Sequence, residues 1–537
     1  MNNIKNNFQT GLNLRLVKQF IINGLILTVT SVTMRLLTVA FNVYITEKVG
    51  AAGVGLFSLI MSVYAFAVTF ATSGISLSAT RLVSQQIVRG SGKGVRAAMV
   101  RCIIYALIFG VTGGVLLMSF SEIIATNWLG DIRALRSLRI LAFSLPPLAV
   151  SAALSGYFSA VRRVVKNAVT NILEQFIRIF FTAALLVCVS DKGIEAASVA
   201  IVTGMLLSEF LSFAVSFVLY LFDIRHVRDL TAPPSSDLTG RLIKMAVPIA
   251  VSSYIRSALV TLEHLLIPKG LVKNGSTSTE ALSSYGVISG MVFPVIFFPM
   301  AFLTAFTGLI VPEVTRYKET ESSRSIEYVT GRIMKITVIF SVAAAGFFAY
   351  YSDVLGTLLY DSAEAGKYIR IFSFLIPVMY LDNTTDAILK GLGEQFASMR
   401  YNIIDALVSV ILVFFLLPPF GIKGYVLVIY ICEILNAAMS IRKLLSCVKI
   451  KLHLLKMILL PCLCMTGAAC MTKLIFTFLN ISYDAMLVTL CVGFSVLCVI
   501  YTVLLRCFGC ISDDDKTWFL NIFKKSGKKS KIFVKTP

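Results

Sequence analysis

Charged residues are scarce in this chain of 537 residues. Asp, Glu, Lys and Arg together make up 14% of it, whereas soluble proteins carry about 25%. Hydrophobic residues make up 57%, and apolar runs of roughly 20 residues, the length that crosses a bilayer as a helix, recur from one end to the other. The alternation of apolar and polar residues that outer-membrane barrels need is missing. The composition therefore predicts an all-α polytopic membrane protein.

Motifs for enzyme chemistry are missing as well. The chain has only three histidines, without the spacing of a zinc site, and the glycine-rich stretch GSGKG at 90–94 lacks the spacing of a phosphate-binding loop. No long hydrophilic segment could form a nucleotide-binding domain. We therefore expect no enzyme activity, no cofactor and no metal site. Energy would come from an Na⁺ or H⁺ gradient, the membrane potential or substrate flux.

Cysteine is unevenly distributed, since nine of the eleven cysteines follow residue 430. Most of them lie in apolar runs, which is typical of packed or lipid-facing thiols rather than of a disulfide framework. The CFGC motif of Cys507 and Cys510 stands alone, without a second Cys or His pair beside it in the sequence. A metal or redox role for this motif is therefore not favoured.

Fourteen candidate spans can be placed along the chain. They lie near 21–45, 54–80, 97–119, 138–160, 167–189, 195–221, 242–267, 282–311, 332–351, 369–389, 401–418, 424–441, 454–475 and 484–506. With the N-terminus inside, most of the 49 basic residues fall in cytoplasmic segments, as basic residues do in membrane proteins. The net charge of +21 therefore indicates topology rather than nucleic-acid binding, and both termini are predicted to be cytoplasmic.

The two halves of the chain resemble each other. The segment 145–179 matches the segment 376–410 at a shift of 231 residues, and a weaker match lays Arg35 over Arg256. Within the segments the shared positions are Pro146 and Pro377, Asn171 and Asn402, and Glu174 and Asp405. Because each copy holds an even number of spans, the repeat is predicted to be parallel, with a pseudo-twofold axis along the membrane normal.

This repeat defines the predicted domain organisation. It consists of an N-terminal lobe of six spans at 1–222, a cytoplasmic linker at 223–240, a C-terminal lobe of six spans at 241–447, two extra helices at 448–510 and a basic cytoplasmic tail at 511–537. Two such lobes could move against each other around a site near the middle of the membrane.

Arg35 and Arg256 stand inside otherwise apolar spans. A mid-span arginine costs roughly 2.5 to 3.5 kcal/mol on insertion scales, so a ligand or a partner is expected. The planar guanidinium donates bidentately to phosphate or pyrophosphate. We predict that both arginines, together with Asn42, bind an anionic headgroup in a central cavity. The alternative is that each arginine pairs with a nearby acid and holds helices together.

Other polar residues within the spans support further predictions. Asp382 and Asp386 share a helix face and are candidates for coupling or gating, although Asp382 could equally cap a helix break. Glu263, near the outer end of its span, is a third candidate. Glu174 and Arg178 are spaced i, i+4, which favours a structural ion pair.

The motifs GAAGVGLF after the first span, SGI and RLVSQQ in the second, and ILKGLGEQFASMRYNIIDALVSV after the tenth occur in a characteristic order. In these motifs the chain resembles the multidrug/oligosaccharidyl-lipid/polysaccharide exporter superfamily, and within it the polysaccharide biosynthesis and stage V sporulation protein B branch. Two departures are Ser76, where the branch commonly has proline, and the residues Phe41 and Asn42, where Gram-negative lipid II flippases have an arginine and an acid.

The resemblance implies a flippase in the bacterial cytoplasmic membrane. Its substrate would be a polyprenyl-pyrophosphate-linked glycan, such as the lipid II-type peptidoglycan precursor or another polysaccharide unit, moved by alternating access. Arg35 and Arg256 match cavity arginines of lipid II flippases, and the last two spans would form a groove for the lipid tail. Membrane lipids and cell-wall synthesis proteins are expected partners, and a monomer is expected. A cation-coupled multidrug exporter and a membrane scaffold for cell-wall enzymes are the alternative functions.

Overall fold

The structure is a computed structural model that describes residues 2–189, 193–225, 232–233, 237–319, 323–449, 455–478 and 486–510. These residues form helices and no β-strand. A bilayer offers no water to backbone groups, and a helix satisfies its own N–H and C=O groups within one segment. The predicted all-α polytopic membrane fold is confirmed.

The helices of the first half are α1 Asn2–Thr72, α2 Ile75–Val88, α3 Gly92–Ile123, α4 Ala134–Ala142, α5 Leu145–Ala160, α6 Val164–Val189, α7 Gly193–Arg225, α8 Leu238–Lys273 and α9 Ser278–Gly286. The remaining helices are α10 Phe293–Ile296, α11 Met300–Glu319, α12 Ser323–Tyr350, α13 Ser352–Tyr360, α14 Ala363–Ser373, α15 Ile376–Gly391, α16 Gln395–Cys447, α17 Leu460–Phe478 and α18 Met486–Cys507.

Ten helical segments of the described chain are individually long and apolar enough to cross a membrane, and the pair α4 and α5, bent by 46°, adds an eleventh. Each of the fourteen predicted spans overlaps one or more of the helices. The count of fourteen and the predicted domain boundaries remain predictions. The predicted tail 511–537 and part of the predicted linker 223–240 lie outside the described residues.

Two long helices each overlap two predicted spans. α1 breaks at Gly50, whose φ is 71°, and α16 breaks at Gly421, whose φ is 57°. Only glycine adopts such values without steric cost, so it supplies the bend within a continuous helical segment. Pro418 and Pro419 precede the second break and cannot donate the helical hydrogen bonds there.

The described residues fall into two compact units. Unit 1 takes its residues from Met1–Val39, Met291–Asp405 and Ile429–Pro537, and unit 2 from Ala40–Gly290 and Ala406–Val428. The core of unit 1 includes a cluster from α11, α12, α15 and the end of α16. Its fully buried members are Val314, Val329, Ile333, Met334, Ile388, Leu389 and Leu444.

Unit 2 is held by close helix contacts. A Cβ atom at Gly156 of α5 would lie 2.4 Å from the Ser76 carbonyl oxygen, and one at Gly286 would lie 2.2 Å from the Ala51 carbonyl oxygen. Small residues at such contacts let helix backbones approach, which is how helices pack where lipid gives no hydrophobic drive between them.

The 231-residue shift recurs in the helix boundaries. α3 begins at Gly92 and α12 at Ser323, while α5 and α15 begin and end at positions that differ by the same number. It recurs in hydrogen bonds as well. Arg139 Nε donates to Ser121 Oγ at 3.2 Å in unit 2, and Arg370 Nε donates to Ser352 Oγ at 3.0 Å in unit 1. The duplicated sequence thus forms the same local structure twice.

The repeat also preserves a turn with a left-handed residue. This residue is Arg162 (φ 58°) after α5 and Gly393 (φ 75°) after α15, again 231 positions apart. An L-residue in the left-handed region destabilises the folded state by about 1–2 kcal/mol, and glycine removes this cost. Glycine also makes the unfolded chain more flexible, which reduces the gain in stability by about 0.4–1 kcal/mol.

We therefore expect Arg162→Gly to raise the free energy of unfolding by up to ~1 kcal/mol. The Arg162 side chain is exposed and has no hydrogen bond or ion pair in the described part of the chain, so little is lost with it. Gly393→Ala is the matched variant and is expected to lower stability by about 1 kcal/mol. Thermal unfolding midpoints in one detergent check both. Shifts of the same sign in the two variants would contradict the turn assignment.

Candidate functional site

Arginines within the predicted spans fall into two groups. Arg178 has carboxylate partners, whereas Arg35, Arg81 and Arg256 have neither an ion pair nor a side-chain hydrogen bond among the described residues. A guanidinium without a partner is costly to hold in a membrane. The position of Arg35, Arg81 and Arg256 within the predicted spans is therefore not explained by an ion pair.

Arg178 lies in a polar network between α6 and α7. Its Nη2 atom lies 2.5 Å from Glu174 Oε1 and 3.4 Å from Glu209 Oε1. Ser212 Oγ donates to the second oxygen of Glu174 at 3.1 Å. The predicted contact between Glu174 and Arg178 is therefore present, and Glu209 joins it from the neighbouring helix. Two carboxylates share one guanidinium, and the structural role of the pair remains a prediction.

A tyrosine–serine pair accompanies this network in unit 2. The Tyr64 hydroxyl and Ser144 Oγ lie 2.6 Å apart, and both residues are buried. Tyr64 is within electrostatic reach of Glu209, Arg178 and Glu174. The interior of unit 2 thus contains a polar cluster rather than one isolated ion pair.

Arg35 lies half-buried on α1. Its charge is within electrostatic reach of the Tyr380 hydroxyl, which donates to the Ile296 carbonyl oxygen at 2.6 Å. Asn42 follows seven residues later in the same helix and is also partly buried. The structure therefore leaves the Arg35 guanidinium with an aromatic hydroxyl nearby and without an acid partner in the described residues.

Arg256 is exposed on α8, and its neighbours in sequence are fixed. The Tyr254 hydroxyl donates to the Phe70 carbonyl oxygen at 3.1 Å, and Ser257 Oγ donates to Thr69 Oγ1 at 3.2 Å. These two bonds attach α8 to the end of α1 within unit 2. They hold the backbone on either side of Arg256, whose side chain is exposed.

Arg81 is an intramembrane arginine that our sequence analysis did not select as a site residue. It is exposed on α2, whereas its neighbours Ala79, Leu82 and Val83 are buried. It is two turns from the end of the helix, so its side chain could reach the interface. The sequence alone gave no reason to prefer it, since it has no counterpart in the weak match that joins Arg35 to Arg256.

The three acids predicted for coupling or gating each have a polar neighbour from the protein. Asn436 Nδ2 donates to Asp382 at 3.0 Å, and Lys390 Nζ lies 2.6 Å from Asp386, which also accepts from Ser398. Ser409 is the polar neighbour of Glu263. Asp382 and Asp386 therefore have separate partners although they lie one turn apart. In the described residues no group of three metal-ligating side chains could hold an ion.

The turn after α5 in unit 2 and the equivalent turn after α15 in unit 1 each contain an ion pair. The turn residue is basic in unit 2 and acidic in unit 1. In unit 2, Arg163 and Lys166 pair with the buried Asp223 near the end of α7, the lysine at 2.6 Å. In unit 1, position 394, the equivalent of Arg163, is an acid, and Lys443 Nζ lies 3.1 Å from Glu394 Oε2. Each turn is thus tied by charge to a later helix of its own unit.

Long apolar helices with broken segments and close glycine contacts are the features of a multi-pass membrane protein. Two family models match consecutive parts of the chain. The model for polysaccharide biosynthesis proteins matches residues 20–276, and the MatE model matches residues 272–415. Together the two models cover residues 20–415, and the chain resembles the multidrug/oligosaccharidyl-lipid/polysaccharide exporter superfamily.

Similar proteins agree with this assignment. The stage V sporulation protein B of Bacillus subtilis (strain 168) is 24% identical over 447 residues, which cover 81% of this chain and 86% of that protein. The lipid II flippase MurJ in an inward closed conformation has a TM-score of 0.63 at 14% identity, covering 91% of this chain and 98% of that one. An inward-facing multidrug resistance transporter of the MATE family has a TM-score of 0.60 at 13% identity, covering 79% and 94%. The two solved structures that share this fold are those of a flippase and of a multidrug resistance transporter.

Proposed function

We propose that this protein is a flippase that moves polyprenyl-pyrophosphate-linked saccharides across the cytoplasmic membrane by alternating access. A lipid II-type peptidoglycan precursor or a related polysaccharide unit is the substrate. The observation that carries the proposal is that Arg35 and Arg256 have no acid partner in the described part of the chain. A purely structural ion pair would need such an acid.

The positive charge of the two arginines favours an anionic substrate over a cationic drug. A guanidinium attracts a pyrophosphate and binds it bidentately, but it repels a lipophilic cation. In our proposal Arg35 and Arg256 bind the pyrophosphate, and Asn42 hydrogen-bonds to the headgroup. The sugars pass through the aqueous part of the path, while the polyprenyl chain stays in lipid along α17 and α18.

Both termini are proposed to be cytoplasmic, because the basic residues then concentrate on the inner side. The energy source in this proposal is an Na⁺ or H⁺ gradient, with Asp382, Asp386 and Glu263 as candidate coupling or gating groups. The similarity to a sporulation protein supports a cell-wall context, in which cell-wall synthesis proteins would be partners.

Reconstitution in liposomes tests the function. We expect the purified protein to flip fluorescent lipid II, and to flip a second glycan on the same polyprenyl pyrophosphate at a rate that depends on the sugar. The same vesicles should not accumulate a lipophilic cation such as ethidium under Na⁺ or H⁺ gradients. The similarity to a multidrug resistance transporter makes cation-coupled multidrug export the second candidate. Cation transport without any flipping would replace the proposal with that function.

A further inference from the structure

A cavity of about 350 Å³ lies between α6 and α7 in unit 2. Its walls are mostly apolar and include Leu185 and Val189 from α6 and Val199 from α7. Thr203 also lines the cavity, but its hydroxyl donates to the Val199 carbonyl oxygen at 2.7 Å and so needs no polar group from a ligand. Pockets for small molecules measure about 300–1,000 Å³ and are largely apolar. The cavity therefore has the size and the lining of a site for an apolar chain.

One end of the cavity is closed by direct contact between the two helices. A Cβ atom at Gly204 of α7 would lie 2.3 Å from Thr182 Oγ1 of α6, and Thr182 is fully buried. The other end reaches Val189, where α6 ends, and Glu195 in the first turn of α7. In the predicted topology this second end lies at the outer surface of the membrane. The cavity thus begins at the level of the lipid headgroups and extends towards the membrane interior.

The rim of the cavity carries a guanidinium, that of Arg136 in α4. The Arg136 side chain is 76% exposed, and its contact with Glu195 is long, with Arg136 Nε 3.4 Å from Glu195 Oε1. Exposed ion pairs of this kind add little to stability. The contact with Glu195 therefore does not explain why an arginine stands at this rim, and it leaves the guanidinium accessible to a second anion.

Arg136 is one of three arginines at the start of α4, although the excess of basic residues in membrane proteins lies on the cytoplasmic side. The other two have structural contacts. Arg133 Nη2 lies 2.5 Å from Asp131 Oδ2, and Arg139 donates to Ser121 Oγ in a bond that the repeat preserves in unit 1. The place of Arg136 beside an apolar cavity points instead to a ligand that has both an anionic head and an apolar chain.

We propose that this cavity binds an anionic phospholipid, whose phosphate contacts Arg136 and whose acyl chain lies between α6 and α7. The single guanidinium matches the single charge of a phosphodiester headgroup such as that of phosphatidylglycerol, and its planar fork suits phosphate oxygens. A polyprenyl pyrophosphate carries two phosphates, and our proposed function supplies two other arginines for it. The competing interpretation is that Arg136 and Glu195 only hold α4 against α7.

Cys188 lines the cavity and is exposed, so its reactivity reports on the occupant. The full-length protein is placed in nanodiscs of dioleoylphosphatidylcholine, alone or with dioleoylphosphatidylglycerol or a polyprenyl pyrophosphate. It is treated with N-ethylmaleimide, and peptide mapping follows the labelling of Cys188. We expect phosphatidylglycerol to slow this labelling several-fold relative to phosphatidylcholine alone. Equal rates in these two membranes would overturn the proposal, and so would protection by the polyprenyl pyrophosphate with none by phosphatidylglycerol.

Variants in the same membranes separate a lipid contact from the ion pair and from the charge of the membrane surface. Arg136→Ala should lose the protection, whereas Lys367→Ala should keep it, because Lys367 is the equivalent residue of the repeat and lies on α14 in unit 1. Glu195→Gln removes the competing carboxylate, so it should keep or strengthen the protection. If Glu195→Gln lost the protection as Arg136→Ala does, the ion pair rather than a lipid contact would be the role of Arg136.

Filling the cavity tests its apolar part. Val199→Phe places an aromatic ring where the acyl chain would lie, so phosphatidylglycerol should no longer protect Cys188. Native mass spectrometry should also show one bound phosphatidylglycerol fewer in Arg136→Ala and in Val199→Phe than in the wild type. Equal lipid counts in all three proteins would refute the site. None of these measurements uses transport, so their outcome is independent of the proposed function.

Discussion

Arg35→Ala and Arg256→Ala are each expected to abolish flipping of lipid II while the protein still inserts into the membrane and folds. A hydrogen bond to a charged group contributes about 1.5–3 kcal/mol. The loss of even one such bond should therefore weaken binding of a pyrophosphate lipid by about 10- to 100-fold. Because neither arginine has an acid partner in the described chain, no buried carboxylate is left behind and stability should change little. Binding and flipping assays in liposomes, together with thermal unfolding, measure both effects.

Lysine variants and neighbouring residues provide the controls for these alanine variants. Arg35→Lys and Arg256→Lys keep the charge but lose the planar fork, so they should retain part of the binding and less of the flipping. Leu36→Ala and Ile255→Ala change exposed apolar residues next to the arginines and should behave as the wild type. Wild-type flipping by both arginine-to-alanine variants would eliminate the proposed role of these residues.

Much of the fold could be predicted because the membrane restricts it. Apolar runs must form helices in lipid, and every predicted span overlaps a helix of the structure. The repeat was also evident from sequence, since Pro146 and Pro377 mark the starts of α5 and α15. The shared left-handed turn at positions 162 and 393 was not, because an arginine gives no sign of a positive φ.

Contacts between helices were less predictable than contacts within one helix. The spacing of Glu174 and Arg178 revealed their pair, but nothing in the sequence joined Glu209 to it from α7. Asp386 and Lys390 also have the i, i+4 spacing, and they form an ion pair in the structure.

The ion pairs at the turns after α5 and α15 become related only when the two halves of the repeat are compared. Positions 163 and 394 are equivalent in the repeat, yet one is basic and the other acidic, and each has an opposite charge on a later helix of its own unit. A duplicated gene copy can reverse both charges and keep the attraction. The ion pair at this turn is therefore a property of the fold rather than of one residue type.

Arg178→Ala is expected to lower the stability of the protein. In this it should differ from Arg35→Ala and Arg256→Ala, which should lose lipid binding and keep their stability. The change leaves Glu174 and Glu209 facing each other across the helix pair without their shared guanidinium. These carboxylates are 23% and 8% exposed. Breaking a buried ion pair by removing one partner costs about 3–5 kcal/mol. A large fall in the thermal unfolding midpoint in detergent would be the expected result.

The cause of that fall can be isolated with a second substitution. Arg178→Ala/Glu209→Gln removes one of the stranded charges and keeps its shape, so it should recover a large part of the lost stability. Glu209→Gln alone should cost little, because its contact with Arg178 is the longer one, at 3.4 Å. If Arg178→Ala unfolded at the wild-type temperature and instead lost pyrophosphate-lipid binding, Arg178 would belong with Arg35 and Arg256 as a recognition residue. The two groups of arginines would then no longer differ, and the absence of an acid partner would lose its value as the mark of a substrate contact.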